Sequence, residues 1–385
     1  MTDRDVRGDL RPLEDYGPTR RSEESVSALG ATEYRSIPEV VEVARARMSP
    51  SAWDFVSGGA GTGVTLRRNR QDMERWALRS RVLGGVTGVD LGTGLLGWRL
   101  RSPVMLAPIG SIDPLVTTRV ANDHGTASFV SNLVPVPLEE VGEAASGPVV
   151  LQVYVRGDRG WLKDILVRAA EAGFGGICLT ADSPGSAWRG RNVRNNYHGL
   201  PDVHPTPNLP AGGGDLRHQL AFGWDGLAWL RAETRLPLIL KGVMTAVDAE
   251  RAVNSGVDCV YVSNHGGRTL DHAPSTITQL PQIVDAVAGR AEVVVDSGFM
   301  HGTDVVKALA LGARAVLVGK LQAMALAGGG AVGLASTLRL LDREVSGAAL
   351  LMGRDRIADL DRADLQDSEP TRDTRSWPEL EDSLG

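Results

Sequence analysis

Apolar residues recur along this chain in two alternating patterns. One is the short continuous run: VMLAP (104–108), ASFVSN (127–132), VVLQVYV (149–155), GICLTAD (176–182), LPLILKG (236–242), CVYVSN (259–264), EVVVDSG (292–298) and AVLVGK (315–320). The other, lying between the runs, has helical spacing, as in WLKDILVRAAEAG, TAVDAERAVNSG and GTDVVKALALGA, most of which close on a glycine. Strands apolar on both faces and alternating with helices predict a parallel sheet under helical cover. Eight such units predict an α/β fold of the closed (β/α)8 TIM-barrel type. A doubly wound open sheet is the competitor, but no GxGxxG opens the first strand-to-helix turn.

Outside the alternation, "IPEVVEVARARMSPSAWDFVSG" (37–58) predicts an N-terminal helical segment with Pro38 near its start. Residues 1–30, charged and short of large apolar groups, predict a disordered arm, and 361–385 an acidic, loosely held tail. Residues 31–360 then form a single domain. Within it, 190–222, rich in Pro and Gly from His198 to Phe222, is expected to be a lid loop.

In a barrel of this kind the active site lies at the C-terminal ends of the strands. Read in order, those ends carry Gln152 and Tyr154, Thr180 and Asp182, Lys241, Asn264 and His265, Asp296, and Gly319-Lys320, while the opposite ends are apolar. Taken alone, His265 reads as a satisfied structural residue. Followed by Gly266-Gly267-Arg268, and sharing a rim with a lysine and two carboxylates, it reads as part of a site. Lysine occurs only at Lys163, Lys241, Lys307 and Lys320, so two of the four end strands at this mouth. Asp182 either caps the turn before Pro184 or holds an imidazole in one tautomer. Glycines ending the last two strands, Gly298 and Gly319, predict a backbone phosphate cradle.

Composition narrows the partners. A formal charge of −6 with no basic stripe argues against nucleic acid. The two cysteines, Cys178 and Cys259, sit in apolar runs and read as reduced core residues, with no disulfide framework and no metal site. No apolar run reaches the ~18–20 residues of a membrane span, and the polar N-terminus has no secretory core. The cytoplasm is the expected location.

These residues resemble the FMN-dependent 2-hydroxy-acid oxidase and dehydrogenase family, which includes glycolate, lactate and mandelate oxidising enzymes. The resemblance runs from about Tyr34 to about Arg356 and is most specific in "LKGVMTAVDAERAVNSGVDCVYVSNHGGRTLDHAPSTI" and "GTDVVKALALGARAVLVGK", while "AWDFVSGGAG" is most similar to mandelate-type members. It implies FMN as cofactor, a small 2-hydroxy acid as substrate, O2 or another electron acceptor, and a homotetramer. By the same resemblance His265 is the active-site base, Asp182 its supporting carboxylate, Arg268 and Arg189 the grip on the substrate carboxylate, and Tyr154 an assisting phenol. Lys241 is implied beside the flavin, with Gln152, Thr180 and Ser131 bonding the ring and Ala107-Pro108 behind it; Asp296, Gly298, Gly319 and Lys320 complete the cofactor set. Phe55, Gly110, Leu133 and Ser186 correspond to positions around the substrate side chain, and their size suggests room for an aryl or bulky aliphatic group.

Some positions depart from the family pattern. Met300 stands where an arginine usually meets the FMN phosphate, Lys320 replaces an arginine, and His301 is a substitute candidate. Arg191 rivals Arg189 as the second carboxylate ligand. Another flavin or phosphate-binding barrel, such as an isomerase, and a barrel that has lost its cofactor are the competing readings.

Overall fold

The computed structural model describes residues 33–183, 187–195 and 207–369. Each of the eight apolar runs contributes a strand: β1 (Val104–Leu106), β2 (Ser128–Ser131), β3 (Val149–Val153), β4 (Gly176–Thr180), β5 (Leu238–Val243), β6 (Cys259–Val262), β7 (Glu292–Val295) and β8 (Ala315–Val318). All neighbours pair in parallel, and β8 closes on β1 through Val316–Val104 and Leu317–Met105. Helices follow the strands and pack outside them, which makes this a (β/α)8 barrel.

Side chains of a strand alternate between faces, and here the alternation divides the core in two. Val104, Leu106, Leu151, Ile177, Leu179, Leu240, Val260 and Val293 pack against the helices. Met105, Phe129, Val150, Cys178, Ile239, Cys259, Tyr261, Val294 and Leu317 form a separate cluster, which is the barrel interior. An antiparallel hairpin (Thr93–Leu95 with Trp98–Leu100) adds Leu95 and Leu100 to that interior and floors it. Two residues beyond the inward apolar positions stand Gln152, Thr180, Lys241, Ser263 and Asp296, all buried. The polar mouth is therefore the top layer of the inward-facing rows. Both cysteines are free and buried, as their apolar context predicts.

Three sequence expectations are modified. The N-terminal segment is two helices, Ile37–Arg47 and Pro50–Ser57, because Pro50 lacks an N–H and restarts the helix at its first turn. The helix Lys320–Leu351 is long and apolar enough to cross a membrane by length and composition, contrary to the reading that no such run exists. It is bent at Gly330 (φ 59°, ψ −148°), and most of its apolar window is buried in the fold, chiefly against Ile37–Arg47 and the Gly302–Ala310 helix. The start of the tail is held: Leu365–Asp367 pairs with Trp76–Leu78 and Leu365 is buried. The 1–30 arm, the tail from 370 and Ser186 lie outside the described residues; of 190–222, Gly190–Arg194 and Leu216–Ala221 are helical.

Candidate active site

At the centre of the mouth the inward rows of β4, β5 and β6 meet. His265 Nδ1 lies 2.9 Å from Asp182 Oδ1, and Lys241 Nζ donates to Asp182 Oδ2 at 3.0 Å. Lys241 also donates to Ser263 Oγ (2.9 Å), and Tyr154 Oη lies 3.4 Å from His265 Nε2. Lys241 and Asp182 are 5% and 8% exposed, whereas His265 keeps 20%. The imidazole is thus the member of the trio that meets incoming molecules.

The approach depends on glycines. Gly242 (φ 107°) sits at a register shift between β5 and β6, and a Cβ there would lie 2.4 Å from the Asp182 Cβ. A Cβ on Gly267 (φ 72°) would lie 2.7 Å from Leu66 N, so the turn after His265 can press on the Val64–Gln71 helix only without a side chain.

Burial and charge set the protonation states. Burial favours the neutral acid at Asp182, but the Lys241 ammonium and His265 outweigh it and hold the carboxyl below the usual carboxylate range. Burial also works against the Lys241 charge, yet the Asp182 and Asp296 carboxylates raise its pKa. At His265, burial and then Lys241 outweigh Asp182 and push the imidazole down, toward its neutral, proton-accepting form. The Tyr154 phenol is raised, chiefly by burial, and stays protonated.

The arginines lie beside this group. Arg268 stacks on Phe55 (4.6 Å from its ring centroid) and donates to the Phe55 carbonyl; Arg189 Nε donates to the Arg268 carbonyl at 3.2 Å. Burial, then the proximity of Arg189, lowers the pKa of Arg268. Arg191, the rival, is drawn away into an ion pair with Asp54 at 3.0 Å and a bond to Ser57 Oγ. Arg189 is therefore the partner of Arg268 in space. Lys320 donates to the carbonyls of Gly58 (2.7 Å), Val56 (3.1 Å) and Ser57 (3.4 Å), and burial, followed by Arg268, Arg189 and Arg191, lowers its pKa well below the ordinary value. Positive charge is concentrated here, ready for an anion.

The remaining predicted positions surround the mouth. Gln152 Nε2 donates to Thr180 Oγ1 at 2.6 Å, leaving the threonine proton for another acceptor. Ser131 is buried next to Gln152 across the β2–β3 ladder, and Ala107 donates its N–H to Val318 ahead of Pro108 and Gly110. A Cβ on Gly110 would lie 3.1 Å from the Leu133 Cβ, so these two line one wall, while Phe55 lies under Arg268. Asp296, Gly298 and Gly319 lie at the ends of β7 and β8. His301, the substitute candidate for the phosphate, has its Nδ1 3.3 Å from Glu344. Met300 is buried in the apolar core.

Sequence reasoning missed Ser263, although it stands two residues beyond inward-facing Tyr261. It also left Asp271 unassigned. The Asp271 carboxylate accepts from the amides of Thr62 (2.8 Å), Gly63 (3.1 Å) and Thr65 (2.9 Å), and so fastens the Val64–Gln71 helix to the His265 loop. Burial opposes its charge, but the amides of Thr65, His272 and Thr62 bring its pKa down to about 2. Asp271→Ala is expected to lower unfolding stability at neutral pH by about 1–2 kcal/mol, the range for a lost helix cap. A depressed carboxylate stabilises above its unfolded pKa of about 4 and loses that contribution as pH falls. Denaturant melts should therefore show the two proteins converging between about pH 4 and pH 2.

A barrel whose mouth joins a histidine–carboxylate pair to two arginines, with glycines ending its last strands, defines an enzyme-type site with a proton acceptor, a grip for a small anion and a backbone cradle suited to a phosphorylated ligand. Residues 44–367 match the FMN-dependent dehydrogenase family, and the chain belongs to it. It is 38% identical to an L-lactate oxidase of Nostoc sp. over 348 residues, covering 84% of this chain and 95% of that protein. It is 33% identical to glycolate oxidase 1 of Oryza sativa over 370 residues, covering 90% of this chain and all of that protein. A mandelate oxidase solved with (S)-2-phenylpropionate superposes with a TM-score of 0.79 at 36% identity, covering 86% of this chain and 98% of that one. The protein is an FMN-dependent 2-hydroxy-acid oxidase or dehydrogenase, and its donor set fits the flavin. Thr180 offers a hydroxyl donor for a heteroaromatic edge, Lys241 is a buried cation, and Lys320 is a buried amine whose hydrogen-bond partners among the described residues are carbonyls.

Proposed function

We propose that the enzyme oxidises a 2-hydroxy acid with an aryl or bulky aliphatic side chain, mandelate being the type, to the 2-oxo acid, with His265 as base. The observation that carries this reading is the imidazole held between Asp182 and Tyr154 beside two arginines. Arg268 and Arg189 grip the substrate carboxylate, since planar guanidinium groups match it in geometry and an anion relieves their mutual repulsion. Asp182 fixes the Nδ1 proton, leaving Nε2 free to take a proton from the substrate. Tyr154, protonated and at hydrogen-bond range of that nitrogen, orients the substrate oxygen. FMN supplies the two-electron acceptor. Ala107, Pro108, Ser131, Gln152, Thr180 and Lys241 would hold its ring, and Asp296, Gly298, Gly319 and Lys320 its ribityl-phosphate end.

The absence of a side chain at Gly110, packed against Leu133, and the likeness to mandelate oxidase favour a bulky side chain. L-Lactate oxidase and glycolate oxidase among the relatives support the competing choice of a small acid. Anaerobic mixing of the yellow holoenzyme with glycolate, lactate, branched 2-hydroxy acids and mandelate separates them. Mandelate-like acids are expected to bleach the flavin fastest. Faster bleaching by glycolate and lactate would remove the bulky-substrate reading.

A further inference from the structure

Two serine hydroxyls pin the backbone on either side of His265. Ser263 Oγ accepts from the His265 N–H at 3.1 Å, and Ser297 Oγ accepts from the Gly266 N–H at 2.9 Å. His265 needs such support, because it lies at φ 59°, in the left-handed region that residues with a Cβ avoid. The Gly266 N–H belongs to the peptide that leaves His265, so whatever holds it sets the direction of the imidazole.

Ser297 is itself held firmly. Its hydroxyl donates to Asp296 Oδ1 at 2.7 Å, and the other oxygen of that carboxylate accepts from the Tyr261 phenol at 2.9 Å. Thr276 Oγ1 donates to the backbone carbonyls of Asp296 (2.6 Å) and Ser297 (3.3 Å). Yet Ser297 adopts φ 77°, where glycine would be more comfortable. The two well-formed bonds of its hydroxyl offset that strain.

We propose that Ser297 is a positioning residue for His265: its hydroxyl, braced by Asp296, fixes the His265–Gly266 peptide and keeps the imidazole facing Asp182. This rests on the reading of His265 as the base. Two variants separate the hydroxyl from the strain. Ser297→Gly removes both, and Ser297→Ala removes the hydroxyl alone. In anaerobic single-turnover reduction, both variants with full FMN content should reduce about tenfold to a hundredfold more slowly. The substrate Kd should be unchanged, and Ser297→Gly should melt no lower than wild type.

The pair Ser297→Gly and His265→Gln gives a cycle. If Ser297 acts through His265, Ser297→Gly costs nothing further in the His265→Gln background. Wild-type rates in Ser297→Gly, the same loss in both backgrounds, or weakened FMN binding with normal reduction per bound flavin would each overturn the proposal. A His265→Gln enzyme of wild-type rate would instead overturn the reading of the base, and the two failures are told apart by that single variant.

Discussion

His265→Gln is expected to lower the rate of flavin reduction by about a hundredfold to ten-thousandfold, the usual worth of a positioned general base. The carboxamide can still bond Asp182, so the fold and the yellow colour should survive. The pH profile gives a second signature. A base must be neutral to act, and burial with Lys241 pushes the His265 pKa below its ordinary value. Wild-type kcat/KM should therefore stay level through neutrality and fall only below about pH 6.5, the ordinary imidazole value. In His265→Gln that acid limb should vanish. Stopped-flow reduction across a pH series reads both effects.

Lys241→Met attacks the same site from beneath. Removing one member of a buried ion pair leaves the other charge unpaired, at a cost of about 3–5 kcal/mol. Asp182 would retain only its hydrogen bond to the His265 imidazole, and Lys241 is one of the groups that lower the imidazole pKa. Its removal should raise that pKa, so the acid limb moves upward toward neutral pH. The Asp182 carboxyl, held low chiefly by Lys241 against burial, should move upward also. In the wild type a depressed carboxylate adds stability above its unfolded pKa and loses it in acid. The variant should therefore be less stable at neutral pH and less sensitive to acidification. Chemical denaturation at pH 7 and pH 4, together with the pH–rate profile, checks both consequences.

Much of this site was legible in the chain because of one geometric rule. Inward-facing residues alternate, so an apolar residue inside the barrel announces a polar one two positions on: Cys178 leads to Thr180, Ile239 to Lys241 and Val294 to Asp296. Ser263 obeyed the same rule and went unread beside the more conspicuous His265. What could not be read were partnerships across the sequence. Asp54 claims Arg191, and Glu344 claims His301; both bonds exist only once separate elements are packed. The role of Asp271 likewise depends on where the Val64–Gln71 helix docks. The break at Pro50 was in plain view, but helical spacing on both sides of it made one helix the simpler reading.

The most direct test is a crystal structure of the holoenzyme with a 2-oxo acid bound. The account predicts the ligand carboxylate against Arg268 and Arg189, with its keto oxygen within hydrogen-bond reach of His265 Nε2 and Tyr154 Oη. A carboxylate held by Arg191 or Lys320, with His265 turned away from the ligand, would contradict it.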